Sequence, residues 1–265
     1  MTPHRLYRLA WRVTFNLKNP ASLAARVKWM IFPKQIQLST LASRERGKIS
    51  ILIVTFNSLD YIKKCLTSLS KFRPQNTEVI VYDNNSDCAT TDFLQEELAA
   101  GRIDKLHLSP INHYFVKGNN EAAKLADDDS EYYLLLNSDT EIVDARWLDC
   151  LLQITPTSGI SALGHVSYPF PRPDGWCFMV DAKTFKDLHG LDEYYQMNWG
   201  ITDFTSRVLS KNLPVRTIIN PDQLIVHYGG KSYGAKQRAE KFNVMTTGQV
   251  IKALAQKPQQ FFKIA

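Results

Sequence analysis

Tyr132-Tyr133-Leu134-Leu135-Leu136-Asn137-Ser138-Asp139-Thr140 is an apolar run that passes directly into a short polar tip carrying one carboxylate. The run reads as a buried strand. In open α/β sheets, ligands bind just beyond the carboxyl ends of such strands. A hard divalent cation takes oxygen ligands, often one or two carboxylates completed by substrate phosphates. Asp139 therefore stands where Mg²⁺ or Mn²⁺ can bridge protein and nucleotide diphosphate. Asn-Ser-Asp is also a good turn, so the reading depends on what else reaches the same edge.

Outward from this strand the chain alternates. Residues 49–55 form a β-branched apolar run, 78–82 a second and 105–108 a short third. Ser58 is placed to cap a helix with an apolar face of Leu59, Ile62, Leu66 and Leu69. Residues 90–100 read as helix through Phe93, Leu94 and Leu98, 109–117 as irregular, and 119–127 as a helix leading into Tyr132. Residues 144–154 follow as a helix with Trp147, Leu148, Leu151 and Leu152 inward. This order predicts an α/β fold with a doubly wound, mostly parallel sheet. The second half is less regular. Residues 156–173 are rich in Pro, Gly and Ser and read as mobile connections. Strand is expected at 176–180, 215–219 and 223–227, and helix at 182–188 and 203–211. The polar-basic tail from Ala235 is expected to be helical.

A chain of 265 residues can bury one substantial core or two small ones. Cys65, Cys88, Cys150 and Cys177 are scattered with no C-x-x-C, which argues against a disulfide framework and a zinc site and fits a reducing compartment. No apolar run approaches the roughly 18 residues of a membrane span. Arg5, Arg8, Arg12 and Lys18 interrupt any signal-peptide core. A cytoplasmic protein is expected. The net charge of +6 is uneven: residues 1–48 hold ten Lys or Arg and one acid, leaving 22 bases against 25 acids in the remainder. Residues 1–47 read as a basic amphipathic extension of two short helices. The first has stripes of Arg5, Arg8, Arg12 and of Leu6, Leu9, Val13, Leu17. Asn19-Pro20 opens the second. Such helices lie on an anionic membrane surface at the inner face or dock on a membrane-protein partner; alternatively they pack on the protein's own core. Nucleic acid is not an expected partner, since the body is net negative.

Three strand ends carry polar tips: Thr55-Phe56-Asn57, Asp83-Asn84-Asn85-Ser86 and Asn137-Ser138-Asp139. In a parallel sheet these ends share one edge. An Asp at a tip can accept a hydrogen bond from a pyrimidine imide N–H with Thr55 beside it, although Asp83 also suits the turn that follows.

The segments Ile49–Asn57 and Val79–Ser86 resemble the opening of inverting family 2 glycosyltransferases, which have the Rossmann-like GT-A fold. Gly118-Asn119-Asn120-Glu121, Leu135–Glu141, Gly175–Val180, Trp199–Asp203 and His227-Tyr228-Gly229-Gly230 extend the likeness over about residues 48–232. The resemblance implies a nucleotide pocket of Thr55, Asn57 and Asp83, with Asn85, Asn120 and Ser138 in the same motifs, and Lys117 as a phosphate contact or a solvated charge. It implies a metal motif at Asn137-Ser138-Asp139 in which Asn137 replaces an acid, with His227 as a second ligand or diphosphate contact, or else a structural histidine. The Glu-Asp pair that carries the family's general base is here Thr202-Asp203, so Asp203 is the implied base or else a helix N-terminal acid. Trp176, Trp199 and Gly200 fall in the acceptor motifs, the tryptophans stacking on sugars or closing the core. His113, Tyr114 and Phe115 stand near the donor where relatives carry Gly-rich sequence, and residues 231–233 suggest a cover over the diphosphate.

The expectation is an extension (1–47) followed by a GT-A domain (48–265), with a nucleotide half (48–142), an acceptor half (143–234) and a helical tail (235–265). The implied activity is metal-assisted transfer from a UDP or dTDP sugar to a hydroxyl of a glycan or lipid-linked glycan. The alternative is a non-catalytic scaffold of the same fold in a glycan-assembly complex.

Overall fold

The computed structural model describes residues 33–38, 47–165, 173–197, 199–230, 242–243, 245–246, 249 and 260–265. The expected amphipathic helices in 1–32 and the expected cover at 231–233 lie outside them. After β1 (Lys34–Ile36), the apolar runs fold as β2 (Lys48–Thr55), β3 (Thr77–Asp83), β4 (Lys105–Leu108) and β5 (Ser130–Asn137). Helices α1 (Leu59–Lys71), α2 (Cys88–Ala99) and α3 (Tyr114–Lys124) connect β2 to β5. Then come β6 (Thr140–Ile142), α4 (Trp147–Ile154), β7 (Ile160–Gly164), β8 (Cys177–Asp181), α5 (Ala182–Asp187) and α6 (Trp199–Ser210). Strands β9 (Val215–Ile219), β10 (Ile225–His227) and β11 (Gln260–Ile264) complete the described elements.

A nine-stranded sheet runs in the order β1-β11-β9-β7-β8-β5-β2-β3-β4. Within it β8 is antiparallel to both β5 and β7, and the other pairings are parallel. The mixed, mostly parallel sheet is the architecture the alternating pattern predicts. Strand order reverses at β2, where β3 and β4 build to one side and β5 to the other. That switch point is where an open α/β sheet forms its ligand crevice. Register aligns the crevice residues, with Thr55 opposite Asp83 and Val54 opposite Asn137.

Alternation across the pleat divides the core in two. Ile51, Ile53, Val79, Val81, Leu134 and Leu136 pack with Ile62 and Leu66 of α1 and Leu151 of α4. Leu52, Ile80 and Leu135 face the other way, onto Val116 of α3, Phe185 of α5 and Phe204 of α6. At the amino ends of the strands a buried carboxylate ties three of them together. Glu78 Oε1 accepts from Ser50 Oγ (2.6 Å), Ser130 Oγ (3.1 Å) and the Asp127 N–H (2.8 Å), while Lys105 Nζ lies 3.1 Å from Oε2.

Several local expectations are corrected. The stretch read as mobile connections contains β7, whose residues are all buried; small side chains and burial on both faces erase the alternation that marks a strand. Helix α3 begins at Tyr114, so Lys117 lies on a helix and not in an irregular segment. Helix α6 begins at Trp199, which places Asp203 in its second turn. The tail ends in strand β11, paired in parallel with both β9 and β1. Strand β1 lies in the expected helical extension, and its Ile36 is buried in the core. Ser58 makes no side-chain cap for α1. It and Asn57 are both left-handed (φ 62° and 51°), whereas a capping residue needs extended backbone. Asp87 and Asp181 supply such caps, accepting the N–H groups of Thr90 (2.9 Å) and Thr184 (2.7 Å).

Candidate active site

The carboxyl ends of β2, β3 and β5 open onto a cleft lined by Thr55, Phe56, Asn84, Tyr114, Phe115, Asn137, Ser138, Asp139 and Met197, among others. The β6–β10 ribbon brings in a histidine from far along the chain. Because His227 pairs with Thr140, its Nε2 comes within 3.2 Å of Asp139 Oδ1 and 3.4 Å of Asn137 Nδ2. The Tyr228 N–H donates to the Asp139 carbonyl at 3.0 Å, and the Asn137 N–H donates to the Trp176 carbonyl at 2.8 Å. Behind the tip, Cys65 Sγ lies 3.6 Å from Thr140 Oγ1, and burial pushes its thiol up to about 12, which leaves it neutral and inert.

At the β2–β3 side, Asp83 is fully buried. Its Oδ2 accepts the Ser86 N–H at 2.9 Å, as an Asx turn would have it. Its Oδ1 and Thr55 Oγ1 have no hydrogen-bond partner among the described residues. Burial raises the Asp83 pKa, with the Ser86 contacts opposing. Two neighbouring buried oxygens left open are what a donor edge of a ligand satisfies. Asn57 braces the two tips, its N–H donating to Ser86 Oγ (2.7 Å) and its Oδ1 accepting the Asp87 N–H (2.9 Å). Asn85 is exposed in the turn with φ 65°.

Sequence reasoning missed Asn84, which stands in the same tip as Asp83. Its Oδ1 accepts the His113 N–H and its Nδ2 donates to the Tyr114 carbonyl, both at 3.0 Å. Tyr82 Oη and His113 Nδ1 are 2.8 Å apart. These bonds hold the start of α3 against β3, and Tyr114, itself left-handed (φ 59°), follows there into the cleft. The bulky 113–115 segment is thus a wall of the cleft. Phe56, at a strand tip, and Met197, just ahead of α6, line it too and were not singled out from the sequence.

Residues 50–172 match the family model described as Glycosyl transferase family 2. That stretch of the chain is similar to a family 2 glycosyltransferase domain. The chain is 24% identical over 261 residues to the O-antigen biosynthesis protein RfbC of Myxococcus xanthus, covering 82% of this chain but only 19% of that protein. It superposes on the mannosyltransferase PcManGT of Pyrobaculum calidifontis, solved with GDP-Man and Mn²⁺, with a TM-score of 0.61 and 15% identity. The match covers 93% of this chain and 79% of that one. At that identity the likeness shows the fold alone, and that fold is GT-A.

The cleft does not gather every residue expected at the site. Asn120 clamps α3 to the loop before α6: its Nδ2 donates to the Leu191 carbonyl and its Oδ1 accepts the Leu191 N–H, both at 2.9 Å. Both ends of its amide are engaged in the scaffold. Gly200 is a close-packing position, since a Cβ there would lie 2.4 Å from Val116 Cγ2. Trp176 is buried at 2% exposure and stacks on His227, so it offers no face to a sugar. Trp199 is half-buried at the start of α6, and Lys117 half-buried on α3. Asp203 is held by Arg207, with Nε and Oδ2 2.7 Å apart, and is not among the residues lining the cleft. Among the described residues no three His, Cys, Asp or Glu side chains form a metal cluster. The donor set of one carboxylate, one imidazole and one amide fits a hard cation that takes its remaining ligands from phosphates and water.

Proposed function

We propose that the chain transfers a sugar, with inversion, from a nucleotide diphosphate sugar to a hydroxyl of a glycan or lipid-linked glycan. The observation that carries this reading is the convergence of Thr55, Asn137, Ser138 and Asp139 in one cleft at the switch point, with His227 brought onto Asp139. Thr55 and Asp83 take the base. Their open buried oxygens suit a donor N–H edge such as the imide of uracil or thymine, and the UDP or dTDP sugar is the donor that the family resemblance implies. Asn137, Asp139 and His227 would hold Mn²⁺ or Mg²⁺. Such a cation, when bound, offsets charge on the departing diphosphate. Asp203 takes the proton of the acceptor hydroxyl as that oxygen attacks the anomeric carbon and the nucleotide diphosphate leaves from the opposite face. General-base catalysis of this kind contributes roughly 10²–10⁴ in rate.

The acceptor class rests on the O-antigen relative, of which the chain spans about a fifth. A cytoplasmic site of action, peripheral at the inner membrane face, follows from the basic stretch 1–47. No described helix is long and apolar enough to cross a membrane. The Asp203–Arg207 pair favours a second reading, in which the carboxylate braces α6 and the domain is a non-catalytic scaffold. Calorimetric titration with UDP, dTDP and GDP, each with and without Mn²⁺, tests the proposal. Metal-dependent micromolar binding of UDP or dTDP is the expected result. No binding of any nucleotide by the folded chain would leave the scaffold.

A further inference from the structure

Trp176 touches the candidate metal corner twice. Its carbonyl accepts the Asn137 N–H at 2.8 Å, fixing the first residue of the Asn137-Ser138-Asp139 tip. Its indole lies against the His227 imidazole, centroids 5.0 Å apart and planes within 12°. The ring is 2% exposed and its Nε1 has no hydrogen-bond partner among the described residues, so its contact with the site is through its face and not its polar edge. His165 shares the same indole at 5.6 Å and 28°. The position is over-determined on the other side as well. Gly175 has φ 82°, and a Cβ there would meet Ile201 Cγ1 at 2.6 Å, so the turn delivering Trp176 requires glycine there.

We propose that Trp176 is a positioning residue. Its indole sets the plane of His227 so that Nε2 points at Asp139 Oδ1 and Asn137 Nδ2, and so sets how tightly this corner holds a divalent cation. The inference rests on the metal reading of the Asp139–His227 corner. An imidazole on the three-residue strand β10 has two soft torsions, and its Nε2 faces Asp139 and Asn137 in the site. A flat partner of matching orientation removes the ring rotation that would carry Nε2 away from Asp139. Groups that orient a metal ligand without touching the metal typically change affinity by about 10–100-fold.

The test uses the full chain with Mn²⁺ in the presence of UDP, followed by electron paramagnetic resonance and by tryptophan fluorescence. Trp176→Leu keeps the carbonyl contact and removes the flat face; Trp176→Phe restores a ring. Expected are a loss of Mn²⁺ affinity of about tenfold or more in the Leu variant and near wild-type affinity in the Phe variant. Mn²⁺ is paramagnetic, so it should quench a wild-type fluorescence component that is missing from Trp176→Phe. A folded Leu variant that binds Mn²⁺ like wild type would overturn the positioning role and leave the metal reading standing. Wild-type protein that binds UDP but no Mn²⁺ would remove the metal reading, and the inference with it.

Discussion

Arg207 holds Asp203 from one turn further along α6, Nε to Oδ2 at 2.7 Å, and the same guanidinium donates to the carbonyls of Leu188 (2.6 Å) and Gly190 (2.9 Å). The one acid of the Trp199–Asp203 stretch is therefore fixed in place and fastened to the loop that Asn120 grips from α3. Asp203→Asn keeps an oxygen for Arg207 and removes the basic one. If Asp203 is the base, turnover falls at least about a hundredfold with nucleotide affinity unchanged. Steady-state kinetics with a soluble acceptor decide it: near-normal turnover would leave the carboxylate as a brace.

Asp83 predicts a pH dependence of donor binding. Burial raises its pKa above the ordinary 3.8. The imide N–H of a pyrimidine needs the ionised carboxylate, so UDP affinity should weaken as pH falls through this raised value. Stability has the opposite sign, because the fold disfavours the charged form and that cost disappears on protonation. Asp83→Asn should bind UDP roughly tenfold more weakly at neutral pH, the size of a lost charge-assisted hydrogen bond, and lose the acidic fall-off. Calorimetry at neutral and mildly acidic pH reads both. An unchanged Asn variant would take Asp83 out of the base pocket.

The parallel half of the sheet and its edge were legible because strands β2, β3 and β5 are apolar on both faces and end in polar tips. That pattern needs no partner to be recognised. What was not legible depended on distant pairing. β7 hides in a Pro-, Gly- and Ser-rich stretch because small residues buried on both faces show no alternation. β11 is a strand only because β9 and β1 lie beside it. Asp139 and His227 could be named from the likeness, but not their contact, which the β6–β10 ribbon creates. Trp176 and Gly200 sit in the right motifs and do structural work there, stacking and close packing, which motif position alone does not distinguish from sugar contact.

The amide at Asn137 leaves the metal corner one negative charge short. Asn137→Asp adds a carboxylate within reach of His227 Nε2, which now lies 3.4 Å from Nδ2. Attraction to a divalent ion outweighs repulsion from Asp139 only while the ion is bound. Mn²⁺ affinity with UDP present should therefore rise about tenfold, near 1.4 kcal/mol, while the metal-free protein is less stable at neutral pH. Unchanged affinity would place the cation away from this tip.

Glu78 anchors the opposite end of the same strands, joining β2 through Ser50, β5 through Ser130 and β4 through Lys105. Its side chain is 5% exposed. Glu78→Ala would leave the buried Ser50 and Ser130 hydroxyls with only each other, deprive the Asp127 N–H of its acceptor and remove one carboxylate opposite Lys105. Such losses cost roughly 3 kcal/mol, which lowers the melting temperature by on the order of 10 °C in a domain of this size. Glu78→Gln keeps an oxygen for the hydroxyls and the N–H and forfeits only the charge opposite Lys105, so it should melt between the two. Nucleotide affinity should stay the same in both, since the hub lies at the far end of the strands from Thr55 and Asn137. Thermal denaturation monitored by circular dichroism separates these outcomes. An Ala variant as stable as wild type would show that water enters and satisfies the cluster.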